Sequence, residues 1–262
     1  MYISNYEEEL SKKYIKNGYI IVDIKNVDSL KWIKDFYENF LKKNLKTKSK
    51  QVELFNNFHN NINIKELNKF RLKLINEINK NKNFRKNYYN VASTFLHKIV
   101  GNELVMQNRV NLSIQLPNDG SSLLDVHADT WSGDSPFEVV VWLPLVNCFK
   151  TKSMFILPAS KYKKIENILN SKKFNHSSKL FSKIKKDVKW LRVNYGQVLI
   201  FNQCLPHGNL VNIEKETRWS MNCRFKSIFS PYGDKKIGEF FEPISLKAAS
   251  KFAMKYNLPK IK

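Results

Sequence analysis

Apolar residues recur at helical spacing over the first hundred positions and at strand spacing over the rest of the chain. Residues 4–16 read as a short helix, and GYIIVD (18–23) as a compact strand behind Gly18. Leu30, Ile33, Tyr37, Phe40 and Leu41 then mark one face of a helix with Asp28 as its N-cap. Residues 43–63 show no period and read as an irregular connection. A helix carrying Leu67, Phe70, Leu74 and Ile78 follows, then another carrying Tyr88, Val91, Phe95 and Ile99. From Val105 the period becomes two. Gln107, Arg109, Asn111, Ser113 and Gln115 alternate with Val110, Leu112, Ile114 and Leu116, which predicts one strand with a polar and an apolar face, ended by the turn PNDGSS (117–122).

Further strands are expected at Phe137–Leu145, Ser153–Leu157, Val188–Val193, Gln197–Phe201 and Thr217–Phe225. A lysine-rich helical insertion separates them at 159–187. A last helix opens at Pro243 and carries Ala249, Phe252 and Tyr256. Helices first and about seven strands after them, with no repeat or linker, give an α+β chain. It reads as a single domain over 1–262 with its core at about 105–226, the strands closing into a sandwich or barrel.

Composition narrows the class. A hydrophobic content of 42% with 13% aromatics excludes a disordered chain. No apolar run nears the ~18 residues of a membrane span, and the start MYISNYEEEL is acidic, so a soluble cytoplasmic protein is expected. Cys148, Cys204 and Cys223 are odd in number and set in apolar surroundings, as buried reduced thiols are. The net charge of +22 would attract nucleic acid, anionic membranes or phosphorylated substrates, or is simply a solvated lysine-rich face. Its densest cluster runs from Lys161 to Lys189.

The candidate chemistry begins at His127 and Asp129. Two residues apart on an extended chain, an imidazole and a carboxylate share a face, although H-x-D triplets also arise by chance. His207, at the end of a buried strand, supplies a second imidazole. Two histidines and one carboxylate around an open coordination face are the ligand set of non-haem Fe(II) oxygenases. His59, His97 and His176 have surroundings that suit surface or core roles. Arg218, Ser220, Asn222 and Arg224 alternate with the apolar Trp219, Met221, Cys223 and Phe225. The polar set therefore points inward, where a guanidinium needs an anion. That anion is a ligand's carboxylate or, for either arginine, a carboxylate elsewhere in the chain.

Together HAD (127–129), the Trp142 strand, GQVLIFNQCLPHG (196–208) and Arg218, eleven residues past His207, resemble the Fe(II)- and 2-oxoglutarate-dependent oxygenases of the phytanoyl-CoA hydroxylase-like group. WSGDSPFEVVVWLPL and KSMFILP are similar to the sporadic carbohydrate-cluster members. The resemblance covers about residues 105–226 and implies a double-stranded β-helix, a cupin-like jelly roll, with N-terminal helices and a helical insertion. It implies His127, Asp129 and His207 as the Fe(II) ligands and Arg218 as the holder of the distal carboxylate of 2-oxoglutarate. Ser220 or Asn111 would add a hydrogen bond, Trp142 a wall, and Arg224 is a further candidate for cofactor contact. O2 would take the remaining iron position, with succinate as co-product and a hydroxylated substrate. Asn209 departs from the serine that many relatives carry.

Trp131 and Asp134, with Glu138 nearby, sit in the loop after the metal pair and would suit a sugar. The lysine-rich insertion would cover the mouth and receive the phosphates of a nucleotide-linked sugar. An AlkB-like nucleic-acid demethylase is the first rival, since Arg218 and Arg224 repeat its R-x5-R spacing, but WSMNC between them lacks its N-x-[ST]-F pattern. A non-redox cupin-like sugar-binding or isomerase protein and a non-catalytic homologue are the others.

Overall fold

Strand β9 (Arg218–Ser227) is the axis of the molecule, because its two faces serve different layers. Trp219, Met221, Cys223 and Phe225 are wholly buried on one side, and Arg218, Ser220, Asn222 and Arg224 line a cavity on the other. The computed structural model describes residues 3–45, 51–121, 123–169 and 180–257. His176 lies outside them.

The larger sheet runs β1 (Tyr19–Asp23), β7 (Gln197–Asn202), β4 (Val139–Pro144), β9, β2 (Leu104–Gln107), β10 (Phe241–Ser245), with β3 (Asn111–Gln115) also on β9. All its pairings are antiparallel. The smaller sheet runs β6 (Lys189–Trp190), β5 (Phe155–Ile156), β8 (His207–Gly208). The single strand expected over 105–116 is thus two. At the break, Asn108 N–H bonds to the Phe240 carbonyl and Val110 N–H to Asn79 Oδ1, so the chain leaves β9 and rejoins it.

Helices α1 (Asn5–Asn17), α2 (Val27–Asn44), α4 (Ile64–Lys80), α5 (Lys82–Asn90) and α6 (Ser93–Ile99) carry the apolar faces that the period marked. The N-cap of α2 is Asn26, whose side chain accepts from Ser29 N–H, in place of Asp28. The third expected helix is two, α5 and α6, separated at Val91–Ala92. Tyr37 donates to Met221 Sδ at 3.0 Å and Tyr88 to the Val141 carbonyl at 2.8 Å, which fixes this helical layer to the sheet's outer face.

Residues 43–63 correct the sequence reading most. They include α3 (Gln51–Asn56) and a 3₁₀ turn at Phe58–Asn60. Phe55 and Phe58 meet Trp219 edge-on at 5.3 and 4.8 Å, a packing with a partner far away in the chain that no local period displays.

Of the insertion, α7 (Ala159–Leu169) and α8 (Leu180–Ile184) are described. Leu180 and Ile184 pack with Val126, Phe155 and Leu157 in a small second core. Pro243 does not open a helix. It sits in β10, an edge strand, where the missing N–H of proline is tolerated. The last helix is the short α9 (Ala248–Ala253), and Phe252 and Tyr256 are exposed. No described helix is long and apolar enough to cross a membrane.

Candidate metal centre

Antiparallel pairing brings the two histidines together. His127 and His207 exchange both backbone hydrogen bonds, at 3.0 and 2.8 Å, so their side chains stand directly opposite and the ring centroids are 4.4 Å apart. Asp129 follows His127 at the start of a 3₁₀ turn (Asp129–Ser132), closed by Gly133 at φ +84°, a left-handed conformation that glycine adopts freely. The pair therefore does not share an extended strand as the sequence suggested; the turn bends the carboxylate in. One ligand atom from each of His127, Asp129 and His207 lies within 4.8 Å of the others, the one such group among the described residues.

The second nitrogens fix the tautomers. Nδ1 of His127 bonds to the Asp125 carbonyl at 2.7 Å, and Nδ1 of His207 to the Leu205 carbonyl at 2.9 Å. A carbonyl only accepts, so each Nδ1 carries the proton and each Nε2 presents a lone pair to the site. This donor set fits a divalent first-row metal with open positions. His59 and His97 lie elsewhere, bonded to Thr217 and Tyr89.

Burial, reinforced by His127 and Arg224 and opposed by Asp129, lowers the His207 pKa from 6.5 to about 4. The unfolded chain takes up this proton near pH 6.5 and the native one only near pH 4, so the contribution to stability is whole above 6.5. It is lost as pH falls through that window, by up to about 3 kcal/mol. Urea unfolding in EDTA should show this loss between about pH 7 and pH 4.5, and His207→Gln should reduce it. An equal loss in the variant would refute the assignment.

The cavity between the sheets measures about 220 Å³. Its floor follows from strand register. Asn111, Asn222 and Trp142 form one cross-strand row, and Ser113 and Ser220 the next, with Arg224 beside Val140 at the metal end and Arg218 beside Gln115 at the other. Arg218 is buried and donates to the Ser153 carbonyl at 3.2 Å and to Ser113 Oγ at 3.0 Å. Burial pushes its pKa down to about 10. Among the described residues no carboxylate pairs with it, and its Nε, with Ser220 Oγ and Ser153 Oγ, is buried without a partner.

For Arg224 the ion-pair alternative is the one realised. Its Nη2 lies 3.0 Å from Asp129 Oδ1 and its Nε 3.5 Å from Asp134, while Nε also donates to Gln203 Oε1 at 3.1 Å. The Arg224 charge is thus already met within the chain, while its side chain lines the cavity at the metal end.

Asp134 is corrected as a substrate residue. Its side chain is fully buried, paired with Lys235 at 2.5 Å, and outside the cavity wall. Glu138 is structural, accepting from Gln203 at 2.6 Å and from Ser135 N–H at 3.1 Å, and burial raises its pKa. Trp131 stands 44% exposed beside the ligand turn and does not line the cavity. No described residue of the insertion lines it either. Asn209 accepts from Leu124 N–H at 2.9 Å and so joins the loop before His127 to the strand of His207. Gln203 and Lys235 went unnoticed in the sequence, since nothing local marks a residue whose partner lies 65 or 101 positions away.

No protein-family model matches the chain, and no curated protein does. Solved structures do. The nickel complex of ThoJ, a non-haem monooxygenase, aligns at a TM-score of 0.53 and 13% identity, over 85% of this chain and 79% of that one. SnoK, a non-haem alpha-ketoglutarate-dependent carbocyclase from nogalamycin biosynthesis, aligns at 0.51 and 12%, over 93% and 97%. HygX from Streptomyces hygroscopicus, with nickel and 2-oxoglutarate bound, aligns at 0.50 and 9%, over 90% and 91%. The chain shares their fold. The two sheets are thus the cupin-like double-stranded β-helix, with a helical layer on the outer face of the larger one.

Proposed function

We propose that the protein is a non-haem Fe(II)- and 2-oxoglutarate-dependent oxygenase acting on a small polar molecule. The observation that carries this reading is Arg218, a buried cation with no carboxylate partner among the described residues, in the same cavity as the His127, Asp129, His207 set. Arg218 is only 5% exposed there, and burying an unmatched charge costs several kcal/mol unless a ligand supplies the counter-charge. Charge counting supports the same ligand. A divalent metal and the Arg218 guanidinium bring three positive charges against the single Asp129 carboxylate, which favours a dianionic ligand in the cavity.

His127, Asp129 and His207 would hold the iron through two neutral imidazoles and one carboxylate, leaving a coordination face toward the cavity. Arg218 would fork onto the distal carboxylate of 2-oxoglutarate, with Ser220 and Ser113 as hydroxyl partners and Trp142 as an apolar wall. Iron and 2-oxoglutarate together supply the oxidation, in which O2 is consumed, the keto acid becomes succinate and CO2, and the substrate is hydroxylated or otherwise oxidised. Asn111, Asn222 and Asn209 offer neutral donors and acceptors on the cavity wall, which suits a hydroxyl-rich molecule such as a sugar or nucleotide-linked sugar. Trp131 at the surface would stack on such a ring.

The test is succinate release after anaerobic loading with Fe(II) and 2-oxoglutarate followed by air, across a panel of nucleotide-sugars and methylated single-stranded DNA. Air-dependent succinate, stimulated by a sugar, is expected. Stimulation by the DNA alone would favour the demethylase reading, and no succinate at all would refute both.

A further inference from the structure

The segment after β9 returns to the metal loop and is locked against it. Ser135 Oγ donates to the Pro231 carbonyl at 2.7 Å, and Asp234 N–H to the Gly133 carbonyl at 3.0 Å. The buried Lys226 holds the other side, donating to the carbonyls of Ser230 and Pro231 at 2.9 and 2.6 Å. Gly233 lies so close to the Gly133 carbonyl that a Cβ there would collide with backbone. This strap delivers Lys235 to Asp134, a side chain with no exposure at all.

Asp134 also faces Arg224, and Arg224 faces the metal ligand Asp129. Gln203 ties the same guanidinium to Glu138, through 3.1 Å and 2.6 Å hydrogen bonds. Arg224 is thus shared between two carboxylates. Which one it favours depends on how far Asp134 is neutralised by Lys235.

Resting on the metal reading above, we propose that Lys235 is a positioning residue of the metal centre: by neutralising Asp134 it leaves Arg224 on Asp129, which fixes the direction in which that carboxylate meets the metal. Without the ammonium, Arg224 is drawn to Asp134, and Asp129 loses the bond that orients it. Groups that orient metal ligands from behind typically govern affinity by roughly 10–100-fold.

The test uses Co(II) alone as probe, with no 2-oxoglutarate or substrate, followed by calorimetry and by the visible d–d spectrum. Lys235→Met should bind Co(II) about tenfold more weakly than the unaltered protein, with a changed spectrum, at a temperature where circular dichroism shows both proteins folded. Lys235→Arg, which restores the cation, should recover both affinity and spectrum. Equal or tighter binding by Lys235→Met, or failure of Lys235→Arg to rescue, would overturn the inference. If the unaltered protein binds no Co(II), the metal reading itself falls and takes this inference with it. If it binds Co(II) yet yields no succinate, only the oxygenase reading falls.

Discussion

Arg218→Met is expected to raise the 2-oxoglutarate concentration needed for half-maximal succinate release at least about a hundredfold. Removing one partner of a buried, hydrogen-bonded charge pair costs about 2–5 kcal/mol, and a hundredfold is about 2.8. The same substitution should leave the protein without 2-oxoglutarate as stable as before or more so. In that state the guanidinium is buried with two neutral acceptors, the Ser153 carbonyl and Ser113 Oγ, and an Nε that bonds to nothing. Methionine fills similar space and removes the unmatched charge. The paired readout is urea unfolding with and without 2-oxoglutarate: the unaltered protein gains stability from the ligand and the variant does not. Arg218→Lys should rescue poorly, because a point charge on a shorter reach cannot reproduce the planar fork. A variant that saturates with 2-oxoglutarate like the unaltered protein would show that the cavity's anion is something else.

Asp129→Ala should weaken metal binding by more than about a hundredfold and abolish succinate release, while the chain still folds. The loss exceeds the roughly 10–100-fold typical of groups behind the ligands because the only anionic ligand of the three is removed. Folding survives because Arg224 keeps Asp134 and Gln203 as partners, so no cation is stranded. Circular dichroism together with Co(II) titration separates the two effects. Iron-dependent turnover in this variant would refute the ligand assignment.

The inward arginines could be read from the chain because they rest on a local regularity, whereas the metal set was reached through the H-x-D pair and the family resemblance. Alternation along TRWSMNCRF is enough to sort Arg218 and Arg224 from Trp219 and Phe225, since a strand has only two faces. What alternation cannot report is a partner. Arg218 and Arg224 look alike in sequence and both line the cavity, yet among the described residues only Arg224 meets carboxylates, those of Asp129 and Asp134. Asp134 misled for the same reason: a carboxylate in a polar loop reads as exposed until a lysine 101 residues later covers it.

The limits of period show in the fold as well. Phe55 and Phe58 occupy a stretch too short and too polar to display a repeat, and packing against the distant Trp219, joined at Phe58 by Phe70, explains their burial. Pro243 carries a local preference for a helix start, which pairing with β2 overrode at the sheet edge.

Hydrophobic spacing by itself determined that helices precede a β-rich half and which faces of the strands are wet, while the H-x-D pair, the distal histidine and the family resemblance pointed to His127, Asp129 and His207. Tertiary structure alone decided that His127 and His207 stand opposite each other and that, among the described residues, Arg218 is left without a carboxylate and Arg224 is not. The reason is physical: side-chain direction along a strand is a property of neighbouring residues, whereas charge pairing and burial are set by groups that only folding brings within reach.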